Sequence, residues 1–183
     1  PIKWIPSRSE DFLNSNHGRD QFFDGSLALD KTGKILGFKI NIIGNIGAFA
    51  TGPGAMIVTA VGPKVISGVY DIPNFYLNAK AVLTNTNVVG AYRGAGRPEA
   101  IYLIERLVDL AAKKLNLDPV DVRRLNMIKP DQFPYKNPMG EIYDSGNFEK
   151  IMDQAVLNSE WDSYESRKEI SNKNNLLRGR AVS

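Results

Sequence analysis

A glycine-rich segment directly before the chain's strongest helix signal is the feature that most constrains the fold. Residues 90–100 have the sequence GAYRGAGRPEA, which places three glycines and two arginines ahead of a long apolar helix pattern. Glycine lets the backbone adopt positive φ angles and approach a ligand closely. The start of a helix presents free N–H groups and a partial positive charge. The sequence therefore predicts a loop before a helix that can hold an anionic group.

Three helices are predicted after this segment. Pro98 suits a first helical turn, where its missing N–H costs nothing, and it opens a predicted helix over 98–115. Its apolar stripe and the leucines that widen it predict that this helix is well buried. The stripe comprises Ile101, Ile104, Val108, Ala111 and Leu115, widened by Leu103, Leu107 and Leu110. The two further helices follow predicted N-caps, Asp118 before 120–127 and Asn147 before 148–159.

The first half of the chain predicts β-structure. A strand over 21–29, turn residues at 30–33 and a return strand over 35–43 predict a hairpin. Apolar residues alternate over 75–84, which predicts another strand with one apolar face. Between these strands, the small residues of 44–62 predict a loop or a short, closely packed helix.

The order of these elements predicts an α+β fold, with a β-hairpin and sheet region followed by the glycine-rich loop and packed helices. The β-rich part covers 1–90, and the loop and helices cover 91–175. Three prolines and two glycines over 129–147 predict an extended loop within the second part. Residues 176–183 are predicted to begin a further strand.

Composition excludes several kinds of site. The 183 residues include no cysteine and one histidine, His17, so the chain itself offers no thiolate ligand and no multi-histidine metal site. The net charge of +3 is scattered and forms no basic stripe, so we expect no nucleic-acid partner. The sequence has no apolar run of the roughly 20 residues that a membrane span needs.

The glycine-rich segment resembles the molybdopterin-contacting loop of the molybdenum hydroxylase family. That family includes xanthine dehydrogenase, aldehyde oxidoreductase and the large subunit of aerobic carbon monoxide dehydrogenase. Four other segments resemble the family in the same order along the chain. They are residues 4–12 (WIPSRSEDF), 30–35 (DKTGKI), 44–49 (GNIGAF) and 117–128 (LDPVDVRRLNMI).

The resemblance implies an internal fragment of the molybdopterin-binding subunit of a cytoplasmic enzyme. Family members hydroxylate a carbon of an aldehyde, N-heterocycle or similar small molecule with oxygen from water. The electrons removed from the substrate pass to 2Fe–2S clusters and FAD. For this protein we expect those groups on partner subunits, in a dimer of heterotrimers. The cofactor is expected to be molybdopterin, with the cytosine dinucleotide form left open. No catalytic or metal-ligating residue is expected in this segment, and alone it should be inactive.

The resemblance also implies roles for individual residues. Arg93 matches the family arginine that contacts the molybdopterin cofactor. Its neighbours Tyr92, Gly94 and Gly96 are expected to shape the cofactor-binding loop. Ala95 matches a substrate-pocket position.

Three departures from the family pattern bear on the substrate. Xanthine enzymes carry a phenylalanine where this chain has Ala95, which offers no aromatic face for stacking. Carbon monoxide oxidisers carry a copper-bridging cysteine where this chain has Gly94. Residues 59–62 (TAVG) also lack the substrate-anchoring arginine of xanthine enzymes. These differences argue against xanthine and against carbon monoxide as substrates.

A second interpretation remains open from the residues alone. A glycine-rich loop before a helix is often only a tight turn, and Arg93 would then satisfy loop carbonyls. The chain would in that case be a small non-enzymatic α+β interaction module. For Arg97 we expect a bond to Glu99 or to a backbone carbonyl.

Overall fold

A computed structural model describes residues 1–50 and 52–183, and it confirms the α+β class. The strands are β1 (Gln21–Leu29), β2 (Ile35–Gly47), β3 (Phe75–Leu83), β4 (Tyr135–Lys136) and β5 (Ile142–Tyr143). The α-helices are α1 (Arg8–Asn14), α2 (Gly54–Met56), α3 (Arg97–Leu115), α4 (Pro119–Asn126), α5 (Phe148–Asn158) and α6 (Tyr164–Lys173). No helix within the described ranges is long and apolar enough to cross a membrane.

Strands β1 and β2 form the hairpin that the sequence predicted. They pair antiparallel, and β2 continues past the predicted end to Gly47. The Asp30 carboxylate holds the turn, because it accepts hydrogen bonds from the amides of Thr32 at 2.8 Å and Lys34 at 3.0 Å. The alternation of half-buried and exposed residues along β1 gives the sheet one inner face.

Strand β3 is confirmed near its predicted bounds, and it pairs parallel to β2 to complete a sheet of order β1–β2–β3. A parallel pair needs a crossover, which is built here from small helical pieces. Helix α2 continues into a π-helix, Ile57–Val61, and then a 3₁₀ turn, Pro63–Val65. The region predicted as a loop or short helix, 44–62, is therefore helical from Gly54 to Val61, whereas its residues 44–47 belong to β2. Residue 51 within it lies outside the described residues.

Helix α3 confirms the long predicted helix and packs directly on β1. A Cβ at Gly25 would lie 2.9 Å from Leu107 Cδ1 and 3.1 Å from Leu103 Cδ1, so the helix approaches the strand backbone. The side chains that α3 buries are those of Ala100, Leu103, Ile104, Val108, Ala111 and Ala112. The predicted burial is only partly confirmed, because Ile101 and Leu110 are 38% and 46% exposed.

A buried ion network fastens α3 to α4. The Arg123 side chain is 1% exposed and donates to the carboxylates of Glu105 at 2.8 Å and Asp109 at 2.9 Å. The Tyr70 hydroxyl donates to the other Glu105 oxygen at 2.7 Å. Burial, followed by the nearby Glu105 charge, raises the pKa of Tyr70. The network fixes the direction in which α3 leaves the glycine-rich loop.

The last third of the chain differs from prediction in three places, which are the loop over 129–147, helix α6 and the segment 176–183. Within the predicted extended loop, β4 and β5 form a short hairpin. It is closed by a hydrogen bond that the Asn137 backbone amide donates to the Glu141 carbonyl at 2.9 Å. Helix α6 was not predicted, because its sequence is polar and lacks an apolar stripe. Helix α5 is confirmed with Asn147 as its cap.

The strand predicted over 176–183 is absent from the described structure. A strand needs a neighbouring strand to satisfy its backbone, and among residues 1–50 and 52–183 none pairs with this segment. Its Arg180 guanidinium instead stacks on the rings of Trp161 at 4.1 Å and Tyr164 at 4.4 Å. Side-chain stacking therefore holds this segment against the helices.

Candidate cofactor-binding loop

The glycine-rich loop between β3 and α3 turns sharply just before the helix. Gly94, Ala95 and Gly96 have φ angles of 88°, 45° and 89°, three consecutive residues on the left-handed side. The turn is closed by the Ala95 amide, which donates to the Tyr92 carbonyl at 2.7 Å. Glycine adopts these angles without the steric cost of a Cβ, which explains two of the three positions. Ala95 is a strained residue at the tip, and such strain clusters at functional sites.

The crossover π-helix backs this loop at backbone-to-backbone distance. A Cβ at Gly96 would lie 2.9 Å from the Ile57 carbonyl oxygen and 3.1 Å from the Gly62 nitrogen. Conversely, a Cβ at Gly62 would lie 2.9 Å from the Gly96 carbonyl oxygen. Residues 59–62, singled out by the resemblance, thus lie in or beside the π-helix that contacts the loop. π-Helical turns are frequent at functional sites.

The loop presents hydrogen-bond donors that the described residues leave unused. Within 1–50 and 52–183, the amides of Arg93, Gly94 and Gly96 donate no hydrogen bond. Over the same ranges, the exposed Arg93 guanidinium forms no hydrogen bond or salt bridge. Gly96 is the N-cap of the 19-residue α3 and has no side chain to cap the free amides. Gly96 is buried against the π-helix, so the donors that lie open to an anionic group are those of the exposed Arg93 and Gly94.

Arg97 fulfils one of its two predicted roles. Its Nη1 donates to the Gly94 carbonyl at 3.3 Å, so it caps a loop carbonyl. Glu99 pairs with a different residue, Arg19, at 2.9 Å. Sequence reasoning missed Arg19, because the two charges are 80 residues apart and no local spacing links them.

The segment containing Arg19 lies against the loop along its length. The His17 amide donates to the Val88 carbonyl at 3.0 Å, and the Gly90 amide donates to the His17 carbonyl at 2.7 Å. Arg19 Nη2 donates to the Arg93 carbonyl, and its guanidinium lies 5.0 Å from the Tyr92 ring centroid. The His17 side chain is exposed, and the residue contacts Val88 and Gly90 through its backbone amide and carbonyl.

The remaining predicted site residues lie together in this loop. Tyr92 is 67% exposed beside Arg19, and Ala95 is half-buried at the tip. Within the described ranges, no group of three or more His, Cys, Asp or Glu side chains is placed to hold a metal ion. The loop therefore offers hydrogen-bond donors from its backbone and from an arginine side chain.

Residues 1–127 match the family model of the molybdopterin cofactor-binding domain. The chain is 39% identical to the carbon monoxide dehydrogenase large chain of Hydrogenophaga pseudoflava over 158 residues, or 85% of this chain and 20% of that protein. It is 29% identical over 185 residues to the nicotine 6-hydroxylase large subunit of Paenarthrobacter nicotinovorans, covering 100% of this chain and 22% of that subunit.

Solved structures agree with these relatives. Quinoline 2-oxidoreductase from Pseudomonas putida 86 superposes with a TM-score of 0.85 at 30% identity, covering 93% of this chain and 22% of that one. The chain thus spans about a fifth of the length of the relatives it matches. Because the family model covers more than half of the chain and the fold agrees, the chain belongs to the molybdopterin cofactor-binding domain family.

Proposed function

We propose that this chain is part of the molybdopterin-binding catalytic subunit of a molybdenum hydroxylase, and that residues 92–96 contact the cofactor. The observation that carries the proposal is that, among the described residues, the exposed Arg93 guanidinium and the exposed amide of the next residue, Gly94, donate no hydrogen bond. Membership of the cofactor-binding family supports this assignment over the interaction module.

Each loop residue has a distinct part in the proposal. Arg93 donates charge-assisted hydrogen bonds to anionic oxygens of the cofactor. Gly94 and Gly96 hold the loop backbone in the left-handed turn, which leaves the exposed Gly94 amide free to donate. The N-terminus of α3 adds a partial positive charge behind them. When bound, the cofactor supplies the redox chemistry with which the family hydroxylates a substrate carbon.

The proposed substrate is an aldehyde, N-heterocycle or similar small molecule, but neither carbon monoxide nor xanthine. Gly94 provides no thiol for copper, and a Cβ there would lie 2.7 Å from Pro98 Cγ and Cδ, so this turn has no room for a side chain. Ala95 provides only a methyl group at the substrate-pocket position. Two relatives are named for quinoline and nicotine, both N-heterocycles, which supports that class.

Partner subunits complete the proposal. Because the chain has no cysteine, the 2Fe–2S clusters that accept electrons must be bound by other residues or subunits. We assign the clusters and FAD to separate subunits, because relatives are named as large chains or large subunits. A dimer of heterotrimers, a cytoplasmic location and the cytosine dinucleotide form of the cofactor stay predictions.

The proposal is tested in the full-length subunit, purified with its partners, by replacing Arg93 with Ala. Losing a hydrogen bond to a charged group costs about 1.5–3 kcal/mol, so we expect at least a roughly tenfold weaker hold on the cofactor. Molybdenum and pterin per protomer measure it directly. Arg106→Ala is the matched control, since Arg106 is also exposed but lies on α3 about 13 Å beyond the start of the helix.

Three outcomes decide the matter. Cofactor content that falls in Arg93→Ala but not in Arg106→Ala supports the assigned role. Unchanged cofactor content and activity in Arg93→Ala would reject it. A full-length protein that never acquires molybdenum or pterin would favour the interaction module instead.

A further inference from the structure

Among the residues that the structure describes, Arg19 is the one side chain outside the loop whose charged group contacts residues both before and after Arg93. Its Nη2 donates to the Arg93 carbonyl, and its Nη1 lies 2.9 Å from Glu99 Oε2. The same guanidinium lies 5.0 Å from the centre of the Tyr92 ring. A planar guanidinium can make these contacts together because its donors form a rigid fork.

The Arg19–Glu99 pair is partly shielded from water, chiefly on the Glu99 side. The two side chains are 33% and 10% exposed, so solvent screens their attraction less than it would at an open surface. Glu99 lies in the first turn of α3, where its negative charge would compete with an anionic ligand for the positive helix end. Arg19 neutralises that carboxylate and leaves Arg93 as a free cation.

Arg19 is itself held in place by the chain on its N-terminal side. Its φ of 64° is left-handed, which is uncommon for a non-glycine residue and is maintained here by its surroundings. The preceding backbone is bonded to Val88 and Gly90 through His17. A Cβ at Gly18 would lie 2.8 Å from Tyr92 Cβ, so the segment and the loop are in direct contact.

From these contacts we propose that Arg19 is a positioning residue for cofactor retention. By tying the Arg93 carbonyl and the Tyr92 ring, it fixes the backbone from which the Arg93 guanidinium extends towards the ligand. By pairing with Glu99, it also keeps that carboxylate from competing with the cofactor for the Arg93 guanidinium. The inference rests on the proposed function, because it acts through the contact between Arg93 and the cofactor.

The test is the rate at which pterin is released from the isolated full-length holoenzyme, followed by the fluorescence of the released pterin. We expect Arg19→Gln to speed release about tenfold, within the range for residues in one hydrogen-bond network. Arg19→Lys keeps the charge beside Glu99 but loses the fork, so we expect an intermediate rate. Arg8→Gln is the matched control, because Arg8 pairs with Asp11 and stacks on a ring away from the loop.

A double variant separates positioning from general stability. If Arg19 acts through Arg93, then Arg19→Gln should change the release rate by less than about twofold when Arg93 is already Ala. Additive effects, or release by Arg19→Gln at the rate of the Arg8→Gln control, would overturn the inference.

The same experiment distinguishes this inference from the proposed function. Faster release in Arg93→Ala with unchanged release in Arg19→Gln overturns the role of Arg19 alone. Unchanged release in both single variants overturns the proposed cofactor contact and this inference with it.

Discussion

Replacing Gly96 with Ala tests whether the loop depends on its close contact with the π-helix. An alanine held at positive φ costs about 1–2 kcal/mol. The new Cβ would also lie 2.9 Å from the Ile57 carbonyl oxygen and 3.1 Å from the Gly62 nitrogen, both backbone atoms. Overpacking of this kind adds about 1–3 kcal/mol, for a total of about 2–5 kcal/mol.

Hydrogen exchange in the full-length subunit measures this cost locally. The Ala100 amide donates to the Gly96 carbonyl at 3.0 Å, so its exchange reports opening of the junction between loop and helix. A cost of 2 kcal/mol or more raises the open population by a factor of roughly 30 or more. We expect Ala100 exchange to accelerate at least that much in Gly96→Ala, with a parallel loss of bound pterin.

Gly140→Ala is the matched control for the backbone angle. Gly140 has a φ of 90°, and its nearest potential Cβ contact is Lys136 Cε at 3.9 Å, so the substitution carries the conformational cost alone. We expect the free energy of local opening, as reported by hydrogen exchange of the Asn137 amide, to fall by about 1–2 kcal/mol in that variant. Equal accelerations in the two variants would refute the reasoning, because the contact with the π-helix would then contribute nothing.

Three further predictions concern stability. Arg123→Ala leaves Glu105 without its buried partner, so we expect the unfolding free energy of the full-length subunit, measured in urea, to fall by about 3–5 kcal/mol. Arg124→Ala, at an exposed ion pair, is the control and should cost about 1 kcal/mol or less. Similar losses in the two variants would contradict the role of the network. Burial, with the adjacent Asp71 charge, raises the pKa of Tyr135 to about 12. The protonated Tyr135 hydroxyl therefore stabilises the fold fully below the ordinary tyrosine pKa near 10, and this stabilisation is lost as the pH rises towards 12. Unfolding free energy should therefore fall less steeply over that pH interval in Tyr135→Phe, and equal slopes would contradict this. Residues 1–183 expressed alone should aggregate or bind a hydrophobic dye, since many large apolar side chains are exposed, and a soluble monomer with a cooperative melt would count against it.

Local signals made much of the fold predictable. The hairpin around Asp30, the helix opened by Pro98 and the cap at Asp118 each depend on residues that are neighbours in sequence. The parallel pairing of β3 with β2 was not predictable, because it depends on how the crossover packs. The short hairpin at Tyr135–Lys136 has strands of two residues, too short for any periodic pattern.

The candidate site was predictable only in part for the same reason. The glycines at 94 and 96 predict a turn with positive φ angles before a helix, and the structure confirms that turn. The partners that hold the loop, Arg19 and the π-helix, come from distant parts of the sequence. Their contacts arise from tertiary packing, and no spacing in a single sequence encodes them.

The most direct test of the central claim is an experimental structure of the full-length subunit with its cofactor bound. We predict the Arg93 guanidinium within about 2.7–3.2 Å of a cofactor oxygen or nitrogen, with the Gly94 amide facing the same group. A cofactor bound elsewhere, with the Arg93 guanidinium in solvent and the loop amides hydrated, would contradict the account.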